Sequence, residues 1–212
     1  MAGNEQTGDV FVLDLGDSEN RMNPGWLASV NASLDEVETV ATPRALLTVG
    51  TGKFFSNGLD LDWMGAHPDE IEPLLDGVEA LLARVLTLPV PTVAVIQGHA
   101  FGAGALLGLS HDFRLMREDR GYFCLPEVDL GLPFRPAMTA LLKAKLTPQT
   151  ALTAMTTGRR YGGAAAVEAG IVDQAHGESD LRAAGVALAQ SLAAKAGPTL
   201  GQIKRGLYEK GG

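Results

Sequence analysis

Three glycines within seven residues, Gly98, Gly102 and Gly104, constrain this chain more than any other feature. They follow Thr92 to Ile96, an apolar β-branched run that reads as a buried strand, and they run into Ala105 to Leu109, which reads as a helix. A strand that enters a glycine turn which opens a helix belongs to a layered α/β architecture. The first N–H groups of a helix have no intrahelical partner and carry a partial positive charge. Glycines let another molecule approach that backbone closely. The stretch therefore marks an anion site, or a place where negative charge develops during a reaction. The plainer alternative is a turn that needs positive φ and close helix packing.

The rest of the chain repeats the alternation. Val10 to Leu15 and Ala45 to Val49 read as strands, with a turn-rich loop from Gly16 to Asn23 and a helix from Pro24 to Val37 between them. A second glycine-bearing loop runs from Gly50 to Leu61. Glu70 to Leu88 carries apolar residues at helical spacing and is stopped by Pro89 and Pro91. Phe113 to Met116 and Tyr122 to Leu125 read as short strands, and Pro126 to Pro133 as a loop. Helices are expected at Ala137 to Leu146, Pro148 to Thr156, Gly163 to Ala169, Leu181 to Ala196 and Thr199 to Tyr208, with a short strand at Ile171 to Asp173. The division this suggests is a core over residues 1–135 and a helical region over 136–212 that serves oligomerisation or forms a lid.

Charge and cysteine usage remove several function classes. A formal net charge of -8 over 212 residues speaks against a nucleic-acid partner, which needs a basic face. Cys124, the single cysteine, excludes an internal disulfide and reads as a small core residue. Met1 to Asp9 has no leader pattern, no apolar run reaches the length of a membrane span, and the last residues carry no peroxisomal tripeptide. The expectation is a cytoplasmic protein with no membrane partner.

Several chemistries fail on spacing. Gly50-Thr51-Gly52-Lys53 lacks the glycine and the hydroxyl of a phosphate-binding loop, since Leu47 and Phe54 occupy those positions. Gly98, Gly102 and Gly104 do not have dinucleotide-binding spacing. His67, His99, His111 and His176 form no close pair, so no metal site is expected. A triad from Ser56, His99 and Asp112 lacks a nucleophile elbow, and His99 and His111 read as satisfied, partly buried imidazoles. A more coherent pattern remains. If the two strands before the glycine loops are neighbours, both loops open on one side of the sheet and each can offer a backbone N–H to an oxyanion. Glu127, flanked by Leu125, Pro126 and Val128, is then a base whose apolar setting raises its pKa. A solvated loop glutamate is the plainer reading.

Four segments, Phe55 to Leu61, Gly98 to Gly104, His111 to Met116 and Leu125 to Gly131, together resemble the crotonase (enoyl-CoA hydratase/isomerase) superfamily, over about Val10 to Gly177. The resemblance implies a spiral of ββα repeats with two nearly perpendicular sheets and a C-terminal helical region. It implies an acyl-CoA substrate, no further cofactor, and a homotrimer or dimer of trimers. The adenine end is expected against the Asn57 to Leu61 loop, and the thioester oxygen on the N–H groups of Asn57 and Ala103. Ser56, Gly58, Leu59, Asp60, Gly102 and Leu106 are the implied substrate-binding residues, and Glu127 the implied catalytic one. Lys53, Lys204, Arg205 and Lys210 are the cations within reach of CoA phosphates on this reading, although solvated surface residues are the plainer reading for each.

Leu106 separates the reactions. Hydratases of the superfamily carry a glutamate there and a second one at the place of Glu127. One glutamate with an oxyanion hole resembles the Δ3,Δ2-enoyl-CoA isomerases of fatty acid metabolism. The alternatives are a thioesterase, a decarboxylase, a divergent hydratase, or a non-catalytic acyl-CoA-binding subunit, which would have no need of Glu127.

Overall fold

The computed structural model describes residues 3–39 and 44–208. Two runs set the architecture. β3 (Ala45–Val49) and β5 (Thr92–Ile96) are buried along their whole length, as strands covered on both faces must be. They lie side by side and parallel, Leu47 opposite Val93. Around them a six-stranded sheet runs in the order β1 (Gly3–Thr7), β2 (Val10–Asp14), β3, β5, β7 (Phe113–Arg117), β9 (Gln174–His176), parallel except for the antiparallel β1–β2 pair.

Each central strand is followed by a short second strand that leaves this sheet. β4 (Phe54–Ser56), β6 (His99–Phe101) and β8 (Phe123–Cys124) form a separate three-stranded parallel sheet. Each second strand leads into helix. β4 is followed by α2 (Leu61–Ala66), a 3-10 turn at Pro68–Glu70 and α3 (Ile71–Thr87). β6 is followed by α4 (Ala103–Ser110), and β8 by α5 (Glu127–Leu130). The expected ββα spiral is thus the observed architecture, with the chain stepping between two sheets three times.

The core divides by sheet face. One face is covered by α1 (Pro24–Thr39), α3 and α4. α3 buries Leu74, Val78, Leu81, Leu82 and Val85, each worth about 1.5–3 kcal/mol when fully removed from water. All eight residues of α4 are buried, as its sequence, apolar but for Ser110, requires, and Ser110 Oγ donates to Leu106 O at 3.0 Å. His111, just past α4, is wholly buried and satisfied. Leu107 O can only accept, so Nδ1 donates to it at 2.9 Å and Nε2 accepts from Thr48 Oγ1 at 2.8 Å. Burial pushes the imidazole pKa down to about 3, so it stays neutral.

The remaining helices are α6 (Pro136–Lys145), α7 (Pro148–Thr157), α8 (Gly163–Glu168), α9 (Glu178–Leu192) and α10 (Pro198–Tyr208). This region carries a strand as well as helices. β9 extends the main sheet, and α9 sets Leu181 and Ala189 against Val10, Leu47, Val93 and Val95 on its second face.

Several elements depart from the sequence expectation. The Gly50–Leu61 and Gly98–Gly104 loops contain β4 and β6, whose three residues are too few for periodicity to reveal. Glu127 opens a one-turn helix rather than sitting in a loop. The strand expected at Ile171–Asp173 begins three residues later, at Gln174. Ile171 and Val172 are instead buried side chains under α8, and pairing with Leu115 to Arg117 sets where the strand starts. Finally β1 lies within a polar stretch that carried no strand signal.

Candidate active site

The structure brings Asn57, Gly58, Leu59, Gly102, Ala103, Leu106 and Glu127 to one cavity of about 410 Å³. Its outer walls are mostly apolar, from Leu61 and Met64 on α2, Ile71 and Leu75 on α3, Leu130 at the end of α5, Phe134 after it, and Met138 on α6. Glycine makes this convergence possible at two points. Gly58 has φ +81°, and a Cβ there would lie 2.7 Å from Phe101 O and 3.2 Å from Ala103 N. Gly102 has φ +52°, and a Cβ there would lie 3.2 Å from Glu127 Oε1. The two glycine loops therefore touch, and the carboxylate stands directly over the second one.

Two backbone N–H groups at this junction have no protein acceptor among the described residues, those of Leu59 and Ala103. Ala103 is the first residue of α4, so helix geometry leaves its N–H unpaired. Leu59 is left free by its neighbours. Met22 N–H donates to Gly58 O at 2.8 Å, and Asp60 N–H donates to Met22 O at 3.1 Å. In this extended bridge the intervening Leu59 N–H points the other way. This corrects the expected donor pair. Asn57 N–H is already committed, to Glu19 O at 2.9 Å, and the Asn57 side chain donates to Glu19 Oε2 at 3.1 Å.

Glu127 is mostly buried, and its Oε2 meets no hydrogen-bond partner. Desolvation raises its pKa to about 7, offset slightly by its own backbone N–H. A carboxyl so placed titrates near neutrality and is free to take and return a proton. Leu106, 1% exposed, presents only hydrocarbon to the cavity. Glu72 is the other carboxylate on the wall, and it lies 3.9 Å from Arg135.

Ser56 and Asp60 do not line the cavity. Ser56 is fully buried, donating to Asn20 O at 2.7 Å and accepting from Gly58 N–H at 3.2 Å. Asp60 caps α2 through Trp63 N–H at 3.2 Å and accepts from Asn23 Nδ2 at 2.9 Å. Both hold the loop from behind. The Ser56, His99 and Asp112 triad is not assembled either. Asp112 pairs with Lys204 at 2.6 Å, and His99 sits among Phe54, Phe101 and Tyr122 with Nδ1 unpartnered, so it is not the satisfied imidazole expected. Lys204, read as solvated, is 3% exposed and also donates to Val90 O at 2.7 Å. Lys53 and Arg205 are exposed, and Lys210 lies outside the described residues. Cys124 is buried, as expected.

Sequence reasoning missed the Gly16–Asn23 segment as a support. Asn20, 1% exposed at φ +50°, donates to Phe55 O at 3.0 Å and to Gly16 O at 3.3 Å, which ties this segment to β4. An asparagine amid turn residues, the type that tolerates left-handed backbone, was the available signal.

A family model described as enoyl-CoA hydratase/isomerase matches residues 5–210. Arabidopsis thaliana enoyl-CoA delta isomerase 3 is 38% identical, and the match covers 96% of this chain and 90% of that protein. Arabidopsis thaliana peroxisomal enoyl-CoA delta isomerase 2 is 37% identical with the same coverage. Among solved structures, a probable enoyl-CoA hydratase of Mycobacterium tuberculosis superposes with a TM-score of 0.90 at 23% identity, over 97% of this chain and 87% of that one. At that identity the likeness speaks to the fold. No helix among the described residues is long and apolar enough to cross a membrane.

Proposed function

The chain belongs to the enoyl-CoA hydratase/isomerase family, and from that premise we propose that it moves the double bond of a 3-enoyl-CoA to give the 2-trans-enoyl-CoA. The observation that carries this reading is the unpartnered carboxylate of Glu127, facing two unpaired N–H groups in a mostly apolar cavity with leucine at position 106. Glu127 takes a proton from C2. The electron pair delocalises onto the thioester oxygen and across the C3–C4 double bond, forming a dienolate. Leu59 and Ala103 N–H groups hold the oxygen, assisted by the N-terminal end of α4. Protonated Glu127 returns the proton at C4, and the double bond settles between C2 and C3. Glu127 ends in its starting state, so one group serves as base and acid and no further cofactor enters.

Hydration is disfavoured because Leu106 can neither activate water nor transfer a proton. The relatives named delta isomerases support the same outcome. The proposed assembly is a homotrimer or dimer of trimers, checked by light scattering, and the proposed compartment is the cytoplasm, checked by fractionation.

Mass-resolved product analysis with 3-cis- and 3-trans-hexenoyl-CoA tests the reaction. A conjugated 2-enoyl product of unchanged mass, lost in Glu127→Gln, is expected. A product heavier by one water, or free CoA, overturns the isomerase reading.

A further inference from the structure

A second cavity, of about 420 Å³, adjoins the first one at Met138. Both run along the groove between α3 and α6. The first takes Ile71, Glu72 and Leu75 from α3, and the second takes Glu79, Leu82, Ala83 and Leu86 farther along the same helix. At 1.5 Å per residue, Leu75 to Leu86 spans about 16 Å, the length of a long acyl tail. On α6 the second cavity is bounded by Leu141 and by the small side chains of Ala137, Ala140 and Ala144, and α10 closes its end with Leu207 and Tyr208.

Among the described residues, Met138 is the one side chain that lines both cavities, and it is 7% exposed. Beside it stands Arg135, on the wall of the first cavity. Its guanidinium lies 2.7 Å from Asp76, 3.9 Å from Glu72 in the first cavity and 3.7 Å from Glu79 in the second. A thioether chain and a set of ion pairs thus stand where two mostly apolar spaces adjoin.

We propose that Met138, flanked by the Arg135 ion pairs, is the partition that sets acyl chain length, and that the second cavity takes the tail of a long acyl group once the partition moves aside. This rests on the reading that the first cavity takes the acyl chain. The occupant is a hydrocarbon tail because the second cavity shares Met138 with the substrate's own site and is lined mainly by hydrocarbon, with Glu79 and Tyr208 as its two polar residues. Methionine suits a partition, since it is unbranched and adaptable. The outer wall at Ala83, Ala137, Ala140 and Ala144 is exposed, so a tail there keeps part of its hydration. Each methylene then gains less than the roughly fourfold that full burial confers.

The test is kcat/KM for 3-cis-enoyl-CoAs from six to sixteen carbons, with calorimetric binding of saturated acyl-CoAs of the same lengths. The wild-type series is expected to break where the tail meets Met138. Met138→Ala moves that break to longer chains and raises the sixteen-to-six-carbon ratio of kcat/KM tenfold or more. Adding Ala83→Trp, which fills the second cavity, returns the ratio towards wild type. Met138→Val is the milder opening if the alanine variant does not fold, as judged by its melting curve. A ratio within twofold of wild type in a folded variant overturns the partition. A break that moves in the binding series without turnover on any substrate supports the partition and overturns the isomerase reading.

Discussion

The two glycine loops do the same job by different means. Each follows a central strand of the main sheet, passes through one strand of the small sheet and brings a backbone N–H to the mouth of one cavity. At Ala103 the donor is free for a local reason, because it is the first residue of a helix. At Leu59 it is free because a distant segment, Glu19 to Met22, pairs with the peptides on either side of it. A donor supplied by local geometry can be read along the chain. A donor supplied by pairing can be misassigned by two residues, and the expected Asn57 is the result.

The largest expected effect concerns the group both loops serve. Glu127→Gln should lower kcat by about 10²–10⁴, the range for a positioned acid–base group. In the wild type, kcat/KM should rise with pH below about 7 and level off above it, because only the ionised carboxylate is a base. Stability should run the opposite way. The folded-state pKa lies above the ordinary 4.5, so the protonated form favours the fold. That contribution is fully present below pH 4.5 and is lost as pH rises through about 7. Glu127→Gln should therefore melt higher than wild type at pH 8.5, by up to on the order of 3 kcal/mol, and not at pH 4. An unchanged difference across that range would contradict the desolvated carboxylate.

Next come the donors themselves. Replacing a single backbone amide by an ester removes its N–H and leaves the side chain. At Ala103 and at Leu59, kcat should fall by about 10²–10³ with KM little changed. At Asn57 the same replacement should cost stability but leave kcat within about threefold, since that N–H bonds to Glu19. A large loss of kcat at Asn57 with none at Leu59 would restore the sequence-based assignment.

Smaller effects sharpen the contrast. Asn20→Ala removes hydrogen bonds that hold the supporting segment to β4, and should destabilise the fold by about 1–3 kcal/mol. Its loss in kcat should be matched by looser binding of an enolate analogue, because it disturbs the Leu59 side alone. Asn57→Ala keeps the N–H and the bond to Glu19 O, so its effect on kcat should be the smallest, within about threefold, by steady-state assay.

Much of the molecule is legible in the chain because its physics is local. The continuous apolar runs at Ala45–Val49 and Thr92–Ile96 hold no polar side chain other than threonine, so they read as buried strands, and the fold pairs them in parallel. Pro24, Pro136 and Pro148 start helices where proline's missing N–H has no cost. The glycine turn from Gly98 to Gly104 marks a helix start, read from Ala105 and found at Ala103, whereas the choice of Ala103 as a donor rests on the family resemblance. Glu127 and Leu106 are identities, and the contrast between one carboxylate and two is written in the sequence. Tertiary structure decided the rest. Strands of three residues carry too little periodicity to register, so β4 and β6 exist only through their pairing in the small sheet with each other and with β8. Lys204 carries nothing in its neighbours to say that it is buried on Asp112. Which N–H of the first loop is free depends on a loop segment 37 residues earlier, as Met22 and Leu59 show. A hydrogen bond between distant peptides has no signature in either segment, because any backbone can make it and only the fold brings the partners together.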